Sequence, residues 1–134
     1  MPSAAHVTPS SPLFRNLPDR DWVEFGEGDR FDAKKVYEWL SLKKSDVSRI
    51  TDVAQTSVRW DSAMPEIMRD RLEEIAVVIN SVAQVFDGDL AKTALWFRTR
   101  NPMLGDVAPR DMIRLGRFDR LRRFIINAMT EHRA

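Results

Sequence analysis

Apolar residues recur at helical spacing along most of this chain. Asp32 followed by Val36, Trp39 and Leu40 predicts a capped helix over residues 33–40, because side chains three and four apart share a face. A second short helix is expected over 46–50 with Ser45 as its cap, then a turn at Thr51-Asp52-Val53 and a third helix over 54–60. Val47, Ile50, Val53, Val58 and Trp60 would face inward, the pattern of a helix-turn-helix unit. The longest run covers residues 65–86. Pro65 sits at its first turn, and Met68, Leu72, Ile75, Ile79, Val82, Val85 and Phe86 form one stripe. Such a beam either joins the two halves of a core or lies against the beam of a second copy. Asp87-Gly88-Asp89 closes it and caps the next helix, Leu90–Arg98. A final amphipathic helix is expected over Arg117–Met129, with Phe118, Leu121, Phe124, Ile125 and Met129 on one side.

Between those last helices the pattern changes. Trp96-Phe97 ends a helix, Asn101-Pro102 and Leu104-Gly105 each make a turn, and Pro109 opens a new short helix, where its fixed φ and missing N–H are suited. The result is a rigid corner with no thiol, imidazole, facing carboxylate pair or glycine-rich phosphate cradle in it. It reads as a platform for presenting a surface.

The order Trp96, Phe97, Thr99, Asn101-Pro102, Leu104-Gly105, Pro109 and a short apolar helix ending near Gly116 resembles the toxin-binding domain of the Xre/MbcA/ParS antitoxins. The resemblance runs from about Val85 to Met129, and a weaker helix-turn-helix resemblance covers Val36 to Trp60. It implies a type II antitoxin that binds a RES-domain toxin, an enzyme that consumes NAD or transfers part of it, and shuts its active site. Carried onto this chain, the toxin-binding surface comprises Trp96, Arg100, Asn101, Met103 and Leu104 at the corner and Arg117, Arg120 and Arg123 on the last helix. His132 and Arg133 follow in the tail. Arginine suits such contacts because its guanidinium pairs bidentately with carboxylates and phosphates. Trp96 and Leu104 fit a place in the core equally well. The resemblance also allows repression of the antitoxin's own operon. Gln55, Thr56, Ser57 and Arg59 of the third helix would then read operator DNA, or else form a solvated face of a degenerate motif. Asp52 stands where such turns commonly hold glycine, and Asp tolerates positive φ less well.

Composition narrows the alternatives. Hydrophobic residues make up 43% of the 134, enough for a core, and no apolar run approaches the ~18 residues of a membrane span. Zero cysteines exclude disulfides and thiolate metal sites and fit a cytoplasmic protein. Met1–Pro12 has no basic flank and apolar core, so no signal peptide is expected there. The only imidazoles are His6 and His132, neither with a helical metal-binding partner, so neither an enzyme nor a cofactor is expected. Ten Lys and Arg against five acids over residues 88–134 make the C-terminal third basic, which would attract nucleic acid or an acidic protein surface.

The expected architecture is all-α, a small helical bundle. It comprises an N-terminal arm over 1–31, a helix-turn-helix-like region over 32–64, and the central helix with the C-terminal toxin-binding domain over 65–134. Met1–Pro12 is expected to be mobile when free. Leu13–Phe31 carries Leu13, Phe14, Leu17, Trp22, Val23, Phe25 and Phe31, an apolar density that favours packing on the body, a partner or a second copy. The partners expected are a RES-domain toxin, operator DNA and a second copy of the chain, with no membrane. The alternative function is a helix-turn-helix transcriptional regulator without a toxin.

Overall fold

Asp32 accepts a hydrogen bond from the Lys34 N–H at 3.1 Å and starts the helix that follows it, so the N-cap expected at this position forms. The computed structural model describes Pro18 and residues 20–133, with side chains described to Glu131. The expectations for Met1–Pro12, for residues 13–17 and for the His132 and Arg133 side chains lie outside the described residues. Among the described residues six α-helices follow in order: α1 (Ala33–Trp39), α2 (Lys44–Thr51), α3 (Glu66–Val85), α4 (Leu90–Arg98), α5 (Pro109–Arg114) and α6 (Phe118–Arg133). The fold is an all-α bundle. Its one sheet among the described residues is a two-stranded hairpin of β1 (Gly26–Glu27) and β2 (Arg30–Phe31), with Gly26 opposite Phe31.

The beam α3 packs against α1, α2, α4 and α6, and short α5 rests on α2, α4 and α6. One hydrophobic core therefore runs through both expected regions, 32–64 and 65–134. Leu72, Ile75 and Ile79 from the beam, Leu40 from the end of α1, Phe97 from α4 and Phe118 from α6 are fully buried in it. Rings also link the elements edge to face. Phe25 meets Trp39 at 6.1 Å between centroids, Trp39 meets Phe97 at 5.5 Å, and Phe97 meets Trp96 at 5.0 Å.

Residues 20–31 pack on the beam through a polar joint between exposed Asp21 and buried Asn80. Asp21 accepts from the N–H groups of Phe25 (2.9 Å) and Gly26 (2.8 Å) and from the Asn80 side chain (3.0 Å), while Asn80 accepts from the Val23 N–H at 2.9 Å. Asn80, the buried member, is thus hydrogen-bonded through both its carbonyl and its amide group.

Several helix bounds differ from the sequence reading, and the last helix, expected over Arg117–Met129, runs from Phe118 to Arg133. The second helix begins at Lys44, not after Ser45, because Asp46 reaches back to accept from the Lys43 N–H at 2.9 Å. The beam begins at Glu66, with Pro65 outside it as the cap. The third helix over 54–60 does not form. Gln55–Ser57 makes a single 3-10 turn and Val58 is extended. Thr56 and Val58 are β-branched, which disfavours a helix, and Trp60 instead packs on Tyr37, the tilted rings 4.7 Å apart between centroids. Asp52 does adopt positive φ, at 63°.

No helix among the described residues is long and apolar enough to cross a membrane. At the end of the beam the Gly88 N–H bonds back to the Ala83 carbonyl at 2.8 Å, and its φ of 81° lies in the left-handed region. A Cβ added at Gly88 would stand 2.6 Å from the Trp22 ring, whereas one added at Gly105, at φ 79°, would meet nothing within 4 Å. Gly105→Ala is therefore expected to cost about 1 kcal/mol from its backbone conformation alone. Gly88→Ala should cost clearly more in urea unfolding, through displacement of Trp22.

Candidate protein-binding surface

The corner after α4 is closed by Asn101. Its side chain accepts from the Met103 N–H at 2.9 Å, and its carbonyl accepts from Leu104 (2.9 Å) and Asp106 (3.0 Å). Its own N–H reaches the Val107 carbonyl at 3.3 Å, and the two residues form an antiparallel bridge. Pro102–Leu104 is a 3-10 turn, Gly105 and Asp106 hold positive φ, and Pro109 starts α5. Asn, Pro and Gly each occupy the position where their own geometry is required, so the loop is tied by backbone hydrogen bonds without needing a ligand.

Four arginines fasten this corner to the N-terminal half. Arg98 donates to the Trp39 carbonyl at 2.7 Å and lies over the Trp39 ring. Arg110 donates to the Leu40 carbonyl and, at 2.8 Å, to the Ser41 carbonyl. These are carbonyls at and just past the end of α1, which have no partner further along the helix. Arg114 and Arg49 both reach the carboxylate of Asp46, at 3.4 and 3.2 Å, and Arg49 also donates to the Arg114 carbonyl at 2.7 Å. The Asp46 side chain is only 4% exposed. Burial pushes its carboxyl pKa up, but the Lys43 N–H and the two guanidiniums outweigh burial and hold it below the usual carboxylate range.

Beside the corner lies an apolar groove of about 550 Å³ between the end of α3, α4 and α6. Val82, Val85 and Phe86 form one wall, Trp96 and Asn101 another, and Phe124, Ile125, Ala128 and Met129 the third. Val85 on its wall is exposed, and so are Leu90, Leu95 and Met103 further along the chain, Met103 at 76%. Much of the chain's exposed bulk hydrophobic surface thus falls between residues 85 and 103.

The expected contact residues divide by where the fold places them. Trp96 and Asn101 meet on the groove wall, and Met103 and Arg100 are exposed on the corner, Arg100 within 3.9 Å of Asp106. Arg117, Arg120 and Arg123 are exposed at the start of α6 and along it. Leu104 is buried under the corner at 6% exposure, so it supports the platform from within and offers no contact of its own. His132 and Arg133 close α6, with side chains outside the described residues. Of the residues expected to read DNA, Gln55 and Thr56 are exposed on the 3-10 turn and Ser57 is half-buried. Arg59 is held by Asp61 through two hydrogen bonds of 2.8 and 2.7 Å. They lie on a turn and an extended segment, without the helix that would set them in a groove of DNA.

Arg98, Arg110 and Asp46 were missed by sequence reasoning. Asp46 carried a signal, an acid three residues after Lys43 at a helix start; the two arginines carried none, since their partners are backbone carbonyls some 60 to 70 residues away. The groove was missed because Val85 and Phe86 were assigned to the core stripe. No protein-family model, no curated protein and no solved structure matches the chain.

A carboxyl whose folded pKa is depressed stabilises the fold above its unfolded value, about 4, and loses that contribution as pH falls through the folded value. Asp46→Asn is therefore expected to cost about 1–3 kcal/mol near pH 7. The gap between variant and wild type should shrink as urea unfolding is repeated below about pH 4.

Proposed function

We propose that the chain is an antitoxin that seats a RES-domain toxin on the Asn101–Val107 corner and the adjoining face of α6, and so keeps the toxin's NAD site closed. The observation that carries this reading is the exposed Met103 side chain on a corner that is itself rigidly bonded and adjoins an apolar groove. A preorganised loop loses little entropy on binding, and arginine is among the residues enriched in protein-binding hot spots. Met103 would fill a pocket on the toxin, while Arg100, Arg117, Arg120 and Arg123 would pair with its acidic groups. The family resemblance over Val85–Met129 supplies the identity of the partner.

Binding to operator DNA receives less support. A single 3-10 turn at Gln55–Ser57 cannot lay a row of side chains along base edges, and Arg59 is engaged by Asp61.

Co-expression with a RES-domain toxin is the direct test. Wild-type chain should restore growth and co-purify with the toxin. Met103→Asp and Arg100→Glu should each weaken the complex by about 2 kcal/mol, roughly thirtyfold, without changing the urea midpoint of the free chain. Growth arrest with no co-purification would remove the proposal.

A further inference from the structure

The described chain enters the fold across the C-terminal end of α3. The Trp22 indole N–H donates to the Gln84 side chain at 3.2 Å, and the Trp22 ring lies against Gly88 so closely that no Cβ fits between. Arg20 lies over the same ring at 3.9 Å, and Pro18 is half-buried. Gln84 is at the same time a wall residue of the apolar groove. The polypeptide is thus pinned at the edge of the groove a few residues after Leu17.

What precedes the pin is Pro12-Leu13-Phe14-Arg15-Asn16-Leu17-Pro18. Leu13, Phe14 and Leu17 stand at i, i+1 and i+4, the spacing that puts three apolar side chains on one face of a helical turn. Phe14 lies eight residues before Trp22, a reach of up to ~27 Å at ~3.4 Å per residue. The helix to be crossed is ~10 Å wide. The groove offers matching walls in Val85, Phe86, Phe124 and Met129, and Val85 is 58% exposed with nothing described covering it. A segment tethered at the rim competes for such walls at a millimolar effective concentration, far above that of any free partner.

We propose that the occupant of this groove is the chain's own segment Leu13–Leu17, which folds back across the end of α3. Bound there, it covers the side of Trp96 that faces the groove, and any partner that uses this wall must first displace it. The inference goes beyond the antitoxin reading and stands or falls without a toxin present.

The chain has no cysteine, so a single engineered pair reports the contact. Asn16→Cys with Ala128→Cys, the latter on the groove wall and exposed, is compared under mild oxidation of dilute full-length chain with Ser3→Cys plus Ala128→Cys. The first pair should form an intrachain disulfide at least about tenfold faster than the second. Adding Phe14→Ser and Leu17→Ser should bring it down to the rate of the second. These two positions lie outside the described core, so helical circular dichroism should stay unchanged. Equal rates for the two pairs, or indifference to the serine substitutions, would overturn the proposal. A disulfide that forms only between chains and speeds up with concentration would overturn it in favour of a second copy.

Discussion

The end of α1 is closed from a distance. A helix that stops inside a protein leaves carbonyls that must find donors, and the donors for Trp39, Leu40 and Ser41 are Arg98 and Arg110, 59 to 70 residues further along. Because Arg98 ends α4 and Arg110 lies in the first turn of α5, satisfying α1 also fixes both flanks of the corner. Asp46 adds a second tie, drawing Arg114 from the end of α5 onto the start of α2. The corner is therefore bound into the same cooperative unit as the N-terminal helices, and its loop is held from both ends.

That arrangement engages part of the basic surface within the chain itself. The C-terminal third is rich in arginine, yet Arg98, Arg110 and Arg114 are spent on carbonyls and carboxylates of this chain, and Arg122 pairs with Asp119 and Glu74 while lying over Phe118. Arg100, Arg117, Arg120 and Arg123 remain exposed. Net charge over a segment is thus a poor guide to its surface, since buried and capping arginines count the same as solvated ones.

The helices were legible in the sequence where a local rule decides them. Asp32 and Asp89 cap their helices, Pro109 opens α5, and Gly88, Gly105 and Gly116 hold left-handed turns, all from interactions within a few residues. The third helix of the supposed helix-turn-helix was misread because inward-facing Val58 and Trp60 satisfy a helical count, and a short extended segment buries the same residues as well. The pairing of α5 with α2 and the groove beside Trp96 were not legible. Both depend on which helices become neighbours, and no local pattern encodes that. Leu104 shows the limit of motif transfer. Its place beside Gly105 is a feature of the corner, but its side chain points into the core that holds the corner up.

If the arginine ties make the corner one unit with the body, the amides of Leu104, Asp106 and Arg117, all hydrogen-bonded to backbone carbonyls, should exchange only when the whole chain unfolds. Native-state hydrogen exchange read residue by residue would then give these amides the same opening free energy as the centre of α3. In Arg110→Gln it should give the corner amides a separate and lower one. Corner amides that open well below the beam in the wild-type chain, or that do not respond to the loss of Arg110, would contradict the account.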